Sequence, residues 1–193
     1  MKPTAALIFT ALACALGASA QAPAAPQGPV TVGNALDREF TLVERQVVAA
    51  AQAMPDDKFN FTPESLDIKG ANYKGVYTFA GLVKHIAATN FMIWSGAAGE
   101  KPPANVTDTK GPASMVSKAD IVQFLKDSFA VGHRAAAAMT AENATEMIGG
   151  FGPTKSPRLF VTAFPATHAF DEYGQMEEYL RMNGIIPPAS APR

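Results

Sequence analysis

Cysteine is almost missing: Cys14 is the only one in 193 residues. It sits in Met1–Ala20, a stretch with a basic start at Lys2, an apolar run from Ala5 to Leu16, and Ala18-Ser19-Ala20 before Gln21. That pattern predicts a secretory signal peptide cut after Ala20, and hence a periplasmic or extracellular protein. A lipoprotein anchored at Cys14 fits less well, because Ala11-Leu12-Ala13 is a poor lipobox. Once the leader is removed, the chain has no disulfide, no thiol nucleophile and no sulfur ligand for zinc.

Charge is also scarce, at 17% of residues, and neither sign dominates. Taking Lys2 from the 16 Lys and Arg leaves the 17 Asp and Glu slightly in excess, so there is no electrostatic footprint for nucleic acid. Beyond the leader no apolar run approaches the ~18 residues that span a bilayer, so no integral membrane segment is expected in residues 21–193. Gly-rich phosphate loops, a G-x-S-x-G elbow and an H-E-x-x-H helix are missing as well.

What is present is helical periodicity. Residues 21–33 (QAPAAPQGPVTVG) and 187–193 (PPASAPR) bury little and read as a flexible leader and a similar tail. Between them four segments repeat apolar residues at spacings of three and four, and no stretch alternates as a strand would. The first runs from about Asn34 to Met54. Leu36, Phe40, Val43, Val47, Ala50 and Met54 share its face, Asn34 is the expected cap and Pro55 the stop. The second starts at Thr78 and reaches about Ser95, with Leu82, His85, Thr89 and Met92 on one stripe. The third opens at Ser117, with Asp120 completing a capping box, and frays at Gly149-Gly150. The fourth is expected from Ser156-Pro157 to Asn183-Gly184. Pro165 either kinks it, at roughly 3 kcal/mol, or marks its true start. Four such helices predict an all-α four-helix bundle over residues 34–190. The connection 99–116 is long enough for a crossover between helices 2 and 3 along the length of the bundle. Phe59, Phe61 and Tyr73, in the irregular stretch after the first helix, are expected to cover one bundle end.

Only three histidines exist, His85, His133 and His168. His168 and Glu172 are four apart, which puts them on one helical face about 40° and 6 Å from each other. Gln175 and Tyr179 continue that face. His85, His168 and Glu172 would give two imidazoles and a carboxylate facing each other across a bundle core, a set suited to zinc, nickel or non-haem iron. Spacing alone favours a plainer reading, core or boundary histidines bonded to carbonyls, with Glu172 in solvent or paired with Lys84 or Arg181. Against that, burying all three unpaired would cost several kcal/mol. His133, beside Arg134 in an Ala-rich helix, reads as a boundary residue. Trp94 and Met92 read as core or pocket wall.

Three segments resemble the DinB-like (DinB/YfiT) family of four-helix bundles: LVKHIAATN (82–90), MPDDKFNFTPE (54–64) and HAFDEYGQMEEYLRMNGIIPPAS (168–190). The likeness spans about residues 34–190. It implies an up-down-down-up bundle and one divalent metal held by a His of the second helix and two of the fourth. His85 and His168 match the first two ligand positions. Glu172 stands where the family usually has His, which makes a harder donor set. The resemblance further implies zinc or nickel as the metal, with iron or manganese as alternatives. It implies a small-molecule substrate, a metal-dependent thiol transfer or hydrolysis, and a homodimer. Gln175 and Tyr179 would then stand behind the ligands, with Asp171 and Tyr173 at the flanks and no catalytic residue assigned. The rival reading is a metal-free, non-catalytic ligand-binding or stress-associated bundle. Whether the three side chains share one cavity discriminates the two.

Overall fold

The computed structural model describes residues 30–192; the expected signal peptide and residues 21–29 of the leader lie outside the described residues, while Val32 and Gly33, expected in the leader, belong to the first helix. Four helices carry the fold: α1 Val32–Ala53, α2 Phe79–Ala97, α3 Lys118–Ala137 and α4 Arg158–Met182. Each start has a local cause. Thr78 Oγ1 accepts from the Gly81 amide and opens α2. Ser117 caps α3, its hydroxyl accepting from the Asp120 amide and donating to the Asp120 carboxylate. The cap of α1 is Thr31, not Asn34. The Thr31 hydroxyl accepts from the Asn34 amide at 3.0 Å, so Asn34 lies within the first turn.

Residue pairs across the bundle set the helix directions. Asn90 of α2 donates to Ser128 of α3, and Trp94 lies over Gly132, so these helices run parallel. On α3, His133 meets Asp37 and Glu44 of α1 while Lys118 reaches the Gln52 carbonyl, so α1 and α3 are antiparallel. Trp94 donates to the Thr162 carbonyl and His85 meets His168, so α2 and α4 are antiparallel too. The result is the expected up-down-down-up bundle, and a parallel α2–α3 pair obliges residues 98–117 to travel back along it. No helix among the described residues is long and apolar enough to cross a membrane.

The core centres on Trp94, fully buried between Phe40 and Phe129 at centroid distances of 4.8 and 5.7 Å. Gly132 lies flat against the indole: a Cβ there would come within 2.6 Å of the ring, so only glycine admits this helix approach. Met92, two residues from Trp94, is 41% exposed and belongs to the surface rather than the core. Phe59 is buried edge-on to Phe79, and Phe61 is edge-on to Tyr179. Residues 59 and 61 also accept the first amides of α2, so this stretch does close one end of the bundle.

The chain departs from the expectation between α3 and α4. Met147–Phe151 and Thr154–Pro157 pair as an antiparallel hairpin, where a frayed helix end and a Ser156 cap were expected. Its strands are too short and too rich in Gly and Pro to show alternation. Pro157, not Ser156, precedes α4, and the Arg158 and Leu159 amides are satisfied by the Glu146 and Ala144 carbonyls. The tertiary pairing thus replaces a side-chain cap. From there α4 continues through the buried Pro165 to Met182, so Pro165 does not start the helix.

His133 ties α3 to α1 more firmly than a boundary residue would. Its Nδ1 lies 2.7 Å from Asp37 Oδ1 and its Nε2 3.0 Å from Glu44 Oε2. Burial lowers its pKa, but its hydrogen bonds to both carboxylates outweigh that and leave it above 6.5. The folded state therefore holds the imidazolium proton more tightly than the unfolded chain. The added stability is full below about pH 6.5 and is lost as pH rises through the folded pKa. His133→Gln is expected to lower stability by roughly 1 kcal/mol in mildly acidic solution and by little in alkaline solution. Urea melts of both proteins across that range check it; a gap that widens with pH contradicts it.

Candidate metal centre

The antiparallel seam between α2 and α4 brings together the three residues singled out by spacing. His85 is in the second turn of α2, flanked by the buried Leu82 and Ile86; His168 and Glu172 are one turn apart on α4. His85 Nε2 lies 3.1 Å from His168 Nε2, and each lies 3.7 Å from Glu172 Oε1. Glu172 is only 8% exposed, so it does not point into bulk solvent. Nor do its suggested alternative partners reach it: Lys84 donates to the Pro112 carbonyl and Arg181 to Ser190. The second carboxylate oxygen of Glu172 accepts from Gln175 Nε2 at 2.9 Å, leaving Oε1 toward the imidazoles.

Aromatic rings wall the imidazoles. Tyr77 stacks on His85 at 5.1 Å and Phe164 on His168 at 6.1 Å. Tyr179 donates its hydroxyl to the Tyr77 carbonyl at 3.1 Å, so it braces that wall from behind. Asp171 is exposed, and Tyr173 turns to Glu177, so neither joins the cluster. His133 is engaged on α1 and belongs to a different face.

Burial sets the electrostatics. It pushes the His168 pKa down, with the nearby His85 acting in the same sense and Asp171 opposing. It pushes the Glu172 carboxyl up, opposed by His85 and Gln175 and reinforced by Asp171. Both shifts favour the neutral forms, so burial weakens any charge pairing across the 3.7 Å His168–Glu172 approach. Among the described residues this is the one group of three His, Asp or Glu side chains placed to share a metal. Ligands about 2.0–2.1 Å from one tetrahedral ion stand about 3.4 Å apart. The observed 3.1–3.7 Å separations bracket that spacing, and two imidazoles with a carboxylate suit a divalent ion with an open position.

Two neighbours of this centre were legible in the sequence and two were not. Phe164 precedes His168 by four, so its stacking follows from helical spacing, and Gln175 follows Glu172 by three. Tyr77 and the Thr109 carbonyl, which accepts from His85 Nδ1 at 2.7 Å, come from irregular segments that no periodicity places.

A raised carboxyl pKa has a consequence for the metal-free protein. The folded state binds the Glu172 proton more tightly than the unfolded chain, so stability falls as pH rises from the ordinary value of 4.5 through the folded one. Glu172→Gln removes that dependence. In chelator-treated protein near neutral pH the variant is expected to melt at or a few degrees above the wild type, with the gap closing on acidification. A variant clearly less stable at neutral pH than at acidic pH, relative to wild type, contradicts this.

Comparison with known proteins follows the same lines as the geometry. The chain is similar in fold to a DinB-like protein from Bacillus cereus ATCC 10987, known as a crystal structure. The TM-score is 0.59 at 16% identity, covering 80% of this chain and 95% of that one. No curated protein sequence matches it. The sequence pattern of the DinB superfamily matches residues 39–176, a stretch that holds His85, His168 and Glu172 together, and the chain belongs to that superfamily.

Proposed function

We propose that this DinB-superfamily protein is exported and holds one divalent metal through Nε2 of His85, Nε2 of His168 and Oε1 of Glu172, in the service of thiol transfer or hydrolysis on a small molecule. The observation that carries the reading is the convergence of those three atoms within 3.7 Å in a largely buried seam. Keeping two imidazoles and a carboxylate there costs stability unless something draws on all three. A divalent cation at this centre supplies Lewis acidity that lowers the pKa of a thiol or a water molecule. The protein's own residues would do the rest. Gln175 occupies one carboxylate oxygen and presents the other. Tyr77 and Phe164 hold the imidazole planes and limit the approach of water to the ligands. Zinc or nickel suits the two imidazoles; the carboxylate in place of a third imidazole extends the range to iron and manganese.

Elemental analysis of tag-free protein tests the metal. Near-stoichiometric zinc, nickel, iron or manganese is expected, and Glu172→Ala should lose it. His85→Ala and His168→Ala should lower metal content and melting temperature together. Protein that carries no metal, and gains no stability when any of these ions is added, would instead be a metal-free binding bundle. Export has its own check: intact mass of the protein recovered outside the cytoplasm should correspond to a chain starting at Gln21. A mature form that retains Lys2 sinks that part of the reading.

A further inference from the structure

The α2–α3 connection is fastened to the bundle on both sides of one tight turn. Val106 is buried, and Lys84 Nζ donates to the Pro112 carbonyl at 3.4 Å. Between them, the Lys110 amide donates to Asp108 Oδ1 at 2.7 Å and the Gly111 amide to the Asp108 carbonyl at 3.4 Å. Gly111 adopts φ +71°, a conformation that side chains strain. A Cβ there would also stand 3.3 Å from the Lys84 carbonyl oxygen and 3.4 Å from Lys84 Cβ. The turn therefore rests directly on α2, one residue before His85, and its Thr109 carbonyl lies 2.7 Å from His85 Nδ1.

A carbonyl can only accept, so His85 Nδ1 must carry the proton. In that tautomer the Nε2 lone pair faces His168 and Glu172. His168 has no comparable support, since its Nδ1 is buried with no partner among the described residues. The two imidazoles are thus unequal: one is set by the backbone, the other only by packing.

We propose that the turn Asp108–Gly111 is a positioning strap for the centre, fixing the tautomer and ring orientation of His85 through the Thr109 carbonyl. The tautomer assignment stands on geometry alone; only its effect on metal binding rests on the proposed function. Backbone acceptors behind a ligating imidazole orient it and raise its basicity, and their loss weakens metal binding roughly 10- to 100-fold. Asp108, by holding the turn, and Gly111, by permitting its close approach, act through His85 without touching the metal.

The test uses the full chain, its Gly111→Val variant and, as the milder disruption, Asp108→Ala. Imidazole nitrogen shifts of the metal-free proteins report the tautomer, and titration with Zn2+ or Ni2+ alone reports affinity. Wild-type His85 is expected to be protonated at Nδ1, and both variants to lose that preference while the helical signal persists. Zn2+ or Ni2+ should then bind them roughly 10- to 100-fold more weakly. Should Gly111→Val fail to fold, Asp108→Ala, at an exposed position, decides the matter. The proposal is overturned if wild-type His85 is protonated at Nε2. It is equally overturned if the variants keep the Nδ1 proton, or lose it with affinity unchanged. A wild type that binds neither ion, yet shows the Nδ1 proton and loses it in both variants, removes the metal reading and leaves the strap in place.

Discussion

Two imidazoles and a carboxylate meet where α2 and α4 run antiparallel, and that meeting constrains most of what surrounds it. Polar side chains in such a seam need partners, because each one desolvated without a partner costs on the order of 1–3 kcal/mol. The protein supplies part of the answer: the Thr109 carbonyl for His85, and Gln175 for one oxygen of Glu172. It leaves Nε2 of His85, Nε2 of His168 and Oε1 of Glu172 facing one another. An interior selected for stability alone would fill these positions with apolar side chains, as it does at Trp94 two turns away. The seam is therefore a place where the fold gives up stability to keep three polar side chains together.

Topology makes the arrangement possible. With α2 and α3 parallel, the chain must return along the bundle before α3 begins, and the returning segment brings the Thr109 carbonyl to His85 Nδ1. An antiparallel hairpin of helices with a short loop would offer no backbone carbonyl there. At the opposite end the turn just before the β-hairpin gives the Ala144 and Glu146 carbonyls to the first amides of α4 and fixes where that helix starts. The Trp94–Thr162 hydrogen bond then holds α2 and α4 in register, so that His85 faces His168. Electrostatics divide along the same lines. His133, held between two carboxylates that favour its charged form, fastens α1 to α3, whereas burial drives His168 and Glu172 toward neutrality on the α2–α4 face.

Much of this was readable from residue order. The apolar spacing in α1 and α3, the Thr78 and Ser117 caps and the Asn183-Gly184 stop each express local chemistry, and each lies where the pattern places it. His168 and Glu172 share a face because they are four apart on one helix. The hairpin was invisible because its strands are short and Gly-rich, with Ser156-Pro157 imitating a helix start. Thr31 was passed over because Asn34, an equally good capping residue, stands three positions later. Met92 shared a stripe with His85 by spacing but not by burial, since it is 41% exposed.

The sequence by itself determined the helices, the apolar faces that drive them together and the identity of the three candidate ligands, because each of these depends on neighbours within a few residues. Only the tertiary structure decided that His85 meets His168 at 3.1 Å, that Glu172 is buried, and that a backbone carbonyl twenty-four residues from His85 fixes its tautomer. Those facts depend on the register of antiparallel helices and the path of an irregular loop. Both are settled by the packing of the whole bundle, and a carbonyl is common to every residue type, so no side-chain pattern could announce it.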